Sequence, residues 1–170
     1  MKISSTHTNR LGQTVRVEYS EDDPFVGLEG KILQAVHAFC FCGDKLVIVK
    51  HPMSGWIPPG GHIEQGESVE DAVIREVKEE TNMRVIFQKV IGFQDVYEPD
   101  RIVRQVRVFC VAEPYGEFIA DPDGEIREMK LIDPADAKSY FDWRETGDRV
   151  MARAREFKRG CDESLNPSLR

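Results

Sequence analysis

Apolar and polar residues alternate in two rhythms along this chain, and the switches between them mark its elements. Thr14-Val15-Arg16-Val17-Glu18-Tyr19 has period two and predicts an exposed strand or hairpin arm inside the otherwise polar residues 1–30. Ser20 to Pro24 ends it. Ile32 to Cys42 is almost wholly apolar, Gly43-Asp44 is a turn signal, and Leu46 to Val49 follows, which predicts a hairpin-like pair of buried strands. His51 to Gly55 is a loop. After Ser68 the rhythm becomes helical: Val69, Val73 and Val77 recur at i, i+4 and i+8, and no glycine or proline falls between Ser68 and Asn82. Ser68 is a good N-cap, with Asp71 three residues on. Arg84 to Val96 and Arg101 to Val111 read as strands around the turn Tyr97-Glu98-Pro99-Asp100. Glu113 to Glu125, with Pro114, Gly116, Pro122 and Gly124, is a long loop of the kind that often carries function. Ile126 to Ile132 is a further strand, and Asp133-Pro134 opens a short helix. Asp142 and Glu145 start a last helix with Trp143, Val150, Met151 and Ala154 on its apolar face. From Gly160 the chain is a polar tail with nothing to fold it.

Strands gathered around two principal helices predict an α/β domain with a mixed sheet between helices. Its expected divisions are an N-terminal extension, residues 1–30, packed on a main domain, residues 31–158, with a polar C-terminal tail, residues 159–170. A length of 170 residues gives one domain with a substantial core. The net charge of -7 argues against clamping long nucleic acid through a basic surface, while leaving a small polyanion open if metal supplies positive charge. No apolar run approaches membrane-spanning length and nothing near Met1 reads as a signal peptide, so no membrane partner and a cytoplasmic location are expected. Cys40 and Cys42 share one face of a strand, Cys110 lies in another apolar run and Cys161 in the tail. The paired Cys-x-x-Cys spacing of a zinc site is absent, so these are expected to be buried free thiols.

The chemistry is concentrated between Gly60 and Met83. At roughly 100° per residue, Glu76, Glu79 and Glu80 stand within about a third of the helix circumference, overlapping the edge of the valine stripe. Three like charges that close repel, and burial worsens it. A divalent cation reverses the sign, and oxygen-only ligands suit magnesium, manganese or calcium rather than zinc. Gly61, five residues, Glu67, seven residues, Arg75-Glu76-Val77-Lys78-Glu79-Glu80 and then Met83 resembles the Nudix box, G-x5-E-x7-R-E-U-x-E-E-x-G-U with U a bulky aliphatic. Every fixed position matches except the last glycine, which is Asn82, the next most tolerant residue in the left-handed region. Trp56-Ile57-Pro58-Pro59-Gly60-Gly61 enters the box as in that family.

The resemblance covers residues 31–158 and implies a Nudix-type α/β/α sandwich with a mixed β-sheet. It implies hydrolysis of a nucleoside diphosphate linked to a group X, with water attacking phosphorus and magnesium (manganese as substitute) held by Glu76, Glu79 and Glu80. Arg75, four residues before Glu79, has the orienting role, Glu67 braces the loop, and Gly60 and Gly61 let the backbone approach phosphate. Glu79 and Glu76 are both candidates for the general base. Asp121, Asp123 and Glu125 in the later loop also qualify, with Glu125 preferred among them. Trp56, Phe93, Tyr97 and Phe109 are candidates to stack on a base. Pro99, about sixteen residues past the box, resembles a proline of ADP-ribose-hydrolysing members, whereas overall size resembles MutT-type nucleoside triphosphate pyrophosphohydrolases. A homodimer is in keeping with the family. The rival reading is a catalytically silent, nucleotide-sensing Nudix domain; a decapping role would need more basic surface than Arg101, Arg104 and Arg107 supply.

Overall fold

The two longest apolar runs find each other at the centre of the molecule. In the computed structural model, which describes residues 1–122 and 124–165, β3 (Lys31–Cys42) runs parallel to β8 (Ile102–Pro114). His37 lies opposite Arg107, and Cys40 opposite Cys110. β7 (Met83–Tyr97) closes a long antiparallel hairpin with β8, irregular between Val85 and Phe87 and between Val90 and Gly92. With β1 (Lys2–Thr8), β2 (Thr14–Ser20), β4 (Lys45–His51) and β5 (Gly55–Ile57), the order is β1-β2-β7-β8-β3-β4-β5. Two short strands branch off this path: β6 (Gly60–His62) pairs with β3, and β9 (Met129–Ile132) with β4.

Alternation along the central strands creates two cores. Val36, Ala38, Cys40, Val106, Val108 and Cys110 face helix α1 (Val69–Thr81) and pack on its buried stripe Val69, Ala72, Val73 and Val77. Each buried valine contributes roughly 1.5–3 kcal/mol through the surface it removes from water. Phe39, Phe41 and Phe109 face the other way, against Phe141, Val150 and Ala154. Phe141 follows a 3₁₀ turn (Pro134–Asp136) and the one-turn helix α2 (Ala137–Tyr140), while Val150 and Ala154 belong to α3 (Arg144–Leu165). The mixed sheet therefore lies between helices, as its apolar patterning requires. Among the described residues no helix is long and apolar enough to cross a membrane.

Four details differ from the sequence reading. The alternating arm β2 is not exposed: Val15, Val17 and Tyr19 are 3%, 4% and 0% accessible, because β2 pairs with β7 and turns those side chains inward. Lys2–Thr8, almost devoid of apolar residues, is nevertheless a strand, held as the outer edge by pairing with β2 around a turn in which the Asn9 side-chain oxygen accepts from the amides of Leu11 and Gln13. Only Met129–Ile132 of the predicted Ile126–Ile132 strand is extended in the sheet. Ile126 is instead a core plug whose carbonyl accepts from the Asp121 amide, so the chain turns there. The tail from Gly160 is helical as far as Leu165, since Phe157 and Cys161 pack on the core and Lys158 pairs with Asp162 one turn on at 2.6 Å. Residues 166–170 of the expected tail lie outside the described residues. All four cysteines are free; Cys40 and Cys110 are buried, but Cys42 and Cys161 only half-buried.

One buried ion pair ties the N-terminal segment to the sheet. Arg104 on β8 donates to both oxygens of Asp95 on β7, at 2.8 and 3.0 Å, and to the carbonyls of Pro24 and Val26 at 2.6 and 2.7 Å. Lys31 reaches Asp95 at 2.7 Å. Burial pushes the Asp95 carboxyl up, but the hydrogen bonds from Arg104 and Lys31 outweigh it and hold the group below its ordinary range. Asp95→Asn leaves Arg104 buried without its counter-charge, so we expect a loss of about 3–5 kcal/mol in urea unfolding. In the native chain the same contribution is complete above the unfolded carboxyl pKa, about 3.9, and is lost as pH falls through the lower folded value; a pH series of urea midpoints for native chain and variant reads both effects.

Candidate active site

Helix α1 is fixed at both ends by the residues its pattern singles out. Ser68 is extended and its hydroxyl accepts from the Asp71 amide at 3.0 Å. Asn82 adopts the left-handed conformation at φ 53°, ψ 40°, and its amide donates to the Lys78 carbonyl, so it does at the C-cap what the glycine of the box does. Its side-chain amide also donates to the Glu117 carbonyl at 3.1 Å, tying the helix end to the following loop.

Between these caps the acids take three depths. Glu80 is 4% accessible, and its Oε1 accepts from the Gly60 amide at 3.0 Å. The side chains of Glu76 and Glu79 are 13% and 29% accessible. Burial pushes the Glu80 carboxyl up to about 9; the Gly60 hydrogen bond opposes this, whereas Glu76 and Asp121 add to it. Contact dictates glycine at the first residue of β6 and leaves room for a side chain at the second only if Glu76 moves. A Cβ on Gly60 would collide with the Val36 carbonyl, and one on Gly61 with the carboxylate of Glu76. The helix thus sits with its acids directly against the diglycine strand.

Arg75 is the hub of the charge network. Its Nε and Nη2 grip Glu67 at 2.7 and 2.9 Å, Nη1 reaches Glu76 at 2.8 Å and Glu79 at 3.3 Å, and Nη2 also donates to the His62 carbonyl at 3.0 Å. Glu67 in turn accepts from the Glu64 amide at 3.1 Å, which braces the box loop, and the Arg75 hydrogen bonds hold its carboxyl below the usual range. The spacing of Arg75 to Glu79 is legible in the sequence; the stronger bidentate grip on Glu67, eight residues back, is not.

Of the described later-loop acids, Asp121 is the one brought to Glu80, and it is buried. Glu125 is exposed and lines a separate depression with Lys50 and Arg127, while Asp123 lies outside the described residues. An open depression of about 630 Å³, bordered by Arg75, Lys78, Glu79, Asn82, Glu117 and Ile119, runs along α1 beside the acids. That is within the size range of small-molecule sites. Among the candidate stacking rings, Phe93 and Phe109 are core, with the Arg104 guanidinium 3.8 Å from the Phe93 centroid. Tyr97 lies beneath Arg16, and Trp56 packs edge-on to Tyr140. Pro99 is exposed in the β7–β8 turn. A different group gathers on the α3 side: His37, Arg107 and Trp143, with Arg107 touching both others. The signal for it was a cation inside an apolar run, Val106-Arg107-Val108-Phe109.

The donors available for a cation are all carboxylate oxygens, which suits a hard dication. Among the described residues no three acid, histidine or cysteine side chains converge as a ligand set, with Glu76 and Glu79 turned to Arg75. The deficit of positive charge around Glu80, crowded by Glu76 and Asp121, is what such an ion would relieve.

A mixed sheet between helices, with an acid-bearing helix docked on a diglycine strand, defines a Nudix-type domain. Residues 31–154 match the family model of the NUDIX domain, and the chain belongs to that family. It is 40% identical over 85 residues to an uncharacterized Nudix hydrolase of Bacillus subtilis, covering 47% of this chain and 54% of that one. It is 38% identical over 104 residues to an ADP-ribose pyrophosphatase of Methanocaldococcus jannaschii, covering 58% and 55%. The chain spans about half the length of these curated relatives. The fold is also that of a crystal structure of a mutant of the Bacillus subtilis pyrophosphohydrolase BsRppH, at TM-score 0.70 and 23% identity over 89% of this chain and 96% of that one.

Two outcomes follow from this geometry. Gly61→Ala should fold normally, because only the mobile end of Glu76 must move, yet lose divalent-ion binding; Gly60→Ala should unfold at lower temperature, because its new methyl meets backbone. Calorimetric ion titration and thermal melts distinguish the pair. The second outcome concerns pH. A carboxyl raised from about 4.5 to about 9 keeps a proton in the folded state that the unfolded chain has released, so this contribution to stability falls as pH rises between those values. In EDTA the melting temperature at pH 8 should lie below that at pH 6, and Glu80→Gln should flatten the difference.

Proposed function

We propose that this chain hydrolyses the diphosphate linkage of a nucleoside diphosphate-X compound, a nucleoside triphosphate or a nucleotide sugar such as ADP-ribose, with magnesium as cofactor and manganese as substitute. The observation that carries the reading is the buried Glu80, held by the Gly60 amide and flanked by Glu76. An acid kept there at the expense of desolvation and repulsion makes sense where a cation completes the site. The relative named as an ADP-ribose pyrophosphatase supports the substrate class.

In this reading Glu76, Glu79 and Glu80 hold the ion, which supplies charge neutralisation of the diphosphate and acidification of a bound water. Gly60 and Gly61 leave room for phosphate oxygens beside the acids. Arg75 is a positioning residue: its grip on Glu67, Glu76 and Glu79 fixes their spacing, and release of Glu76 and Glu79 toward a cation leaves Arg75 anchored on Glu67. Glu79, the most accessible of the three carboxylates, is our choice for accepting the proton of the attacking water. Asp121 adds negative charge beside Glu80 and completes the acidic pocket.

The test is turnover of a nucleotide panel, read as released nucleoside monophosphate. Chelation should abolish activity and magnesium restore it. Glu79→Gln and Glu80→Gln should each lower kcat by about 10²-fold or more, with Glu80→Gln melting no lower than the native chain because a neutral amide replaces a carboxyl that burial already keeps protonated. Near-native turnover in either variant overturns the ligand assignment. Tight nucleotide binding without turnover by the native chain would instead favour the sensing module.

A further inference from the structure

We propose that the depression along the outer face of α1 receives the X group of the substrate and admits an aliphatic X. Nucleoside diphosphate esters of aliphatic alcohols would then be hydrolysed alongside triphosphates and nucleotide sugars; this rests on the proposed diphosphate hydrolysis. The outward face of a surface helix is ordinarily polar. Here it carries Ile74, 45% accessible, and the loop bordering the depression adds Ile119, 86% accessible, together with Ala120 and Pro122. Apolar groups gathered in a concave surface and rimmed by charge mark a place that a ligand covers.

The loop that forms this wall is fastened at both ends. Asn82 holds its start twice: its carbonyl accepts from the Tyr115 amide at 3.0 Å, and its side-chain amide donates to the Glu117 carbonyl at 3.1 Å. At the far end the Asp121 amide donates to the carbonyl of the buried Ile126 at 2.9 Å. A glycine in place of Asn82 could make the first of the two Asn82 contacts but not the second, which needs a side chain. The one fixed position at which this chain departs from the box is thus the residue that positions the wall.

The lining also selects the chemistry of its occupant. Two of its polar side chains are already committed: Arg75 to Glu67, Glu76, Glu79 and the His62 carbonyl, and Asn82 to Glu117. Among the described residues that line it none is aromatic, so a base has no ring to stack on there. The surface left open is aliphatic, and a flexible hydrocarbon gains most by covering it. Arg75 and Glu79 belong both to the depression and to the charge network of the acids, so a group joined to a diphosphate at the acids continues into it. Water adds to one phosphorus as the anhydride P–O bond breaks, and its protons pass to the products or to solvent. The products are a nucleoside monophosphate and the phosphate monoester of the alcohol.

The experiment measures kcat/KM for the methyl, butyl and hexyl esters of ADP, in which base, ribose and diphosphate stay constant and only the hydrocarbon grows. The native chain should gain about two- to threefold per methylene. Ile74→Asn and Ile119→Asn change exposed positions, leave the core untouched, and should bring that gain close to one. Asn82→Gly keeps the left-handed cap, loses the tie to Glu117, and should reduce the gain mainly through KM. A kcat/KM that ignores chain length overturns the proposal, and so does a gain that survives in all three variants. Calorimetric binding of the methyl and hexyl esters, in EDTA to stop turnover, reads the same preference. A chain that hydrolyses none of the esters but binds hexyl over methyl refutes the hydrolase reading alone, and equal or absent binding refutes this one.

Discussion

A single carboxyl, that of Glu80, is carried into the protein and hung on the amide of Gly60, and much of the architecture can be read as the means of keeping it there. Gly60 must lie hard against the Val36 carbonyl for its amide to reach the helix, which only a residue without a side chain permits. Helix α1 must sit low on the sheet, which the stripe Val69, Ala72, Val73 and Val77 ensures. Its two ends must be stopped at fixed places, which Ser68 and Asn82 do by different means. Remove the valines and the acids lose their depth; remove the glycines and they lose their partner. Packing here sets the electrostatics, because a carboxyl at this depth ionises only when something positive comes to it.

The remaining acids are arranged so that the cost at Glu80 is local. Arg75 neutralises the outer ring, taking Glu67 most tightly and Glu76 and Glu79 more loosely. Glu67 is therefore the most firmly held of the three, which fits the proposed division between a bracing acid and two acids free to turn to a cation. A lysine could not hold both sets, since it lacks the planar fork that grips Glu67 with two nitrogens while a third faces the helix.

The box helix was legible because every feature that defines it is local: valine spacing, a serine before it and an asparagine after it. The same holds for the central strands, whose apolar runs leave little choice. What escaped was set by partners distant in sequence. Nothing in Lys2–Thr8 announces a strand, because an edge strand is specified by its neighbour's backbone. The alternating arm Thr14–Tyr19 reads correctly as a strand but not as a buried one, since burial comes from β7 some eighty residues away. The tail beyond Gly160 looks unfoldable alone and is helical to Leu165 because α3 lays Phe157 and Cys161 on the core. Among the loop acids, sequence put Glu125 first; the turn closed between Asp121 and Ile126 instead buries Asp121 beside Glu80 and leaves Glu125 exposed.

The same reasoning separates the two faces of the sheet. On the α1 face, negative charge is concentrated and has too little positive charge to match it; on the α3 face, Arg107 is a buried cation, still protonated with a pKa lowered by burial to about 10, without a matching anion among the described residues. Each imbalance is unfavourable for the folded chain alone, and the fold could have cancelled either, as it cancels Arg104 with Asp95 three residues along the same strand. The two imbalances have opposite signs and lie on opposite faces of the sheet, and the apolar strands packed between them keep either from cancelling the other.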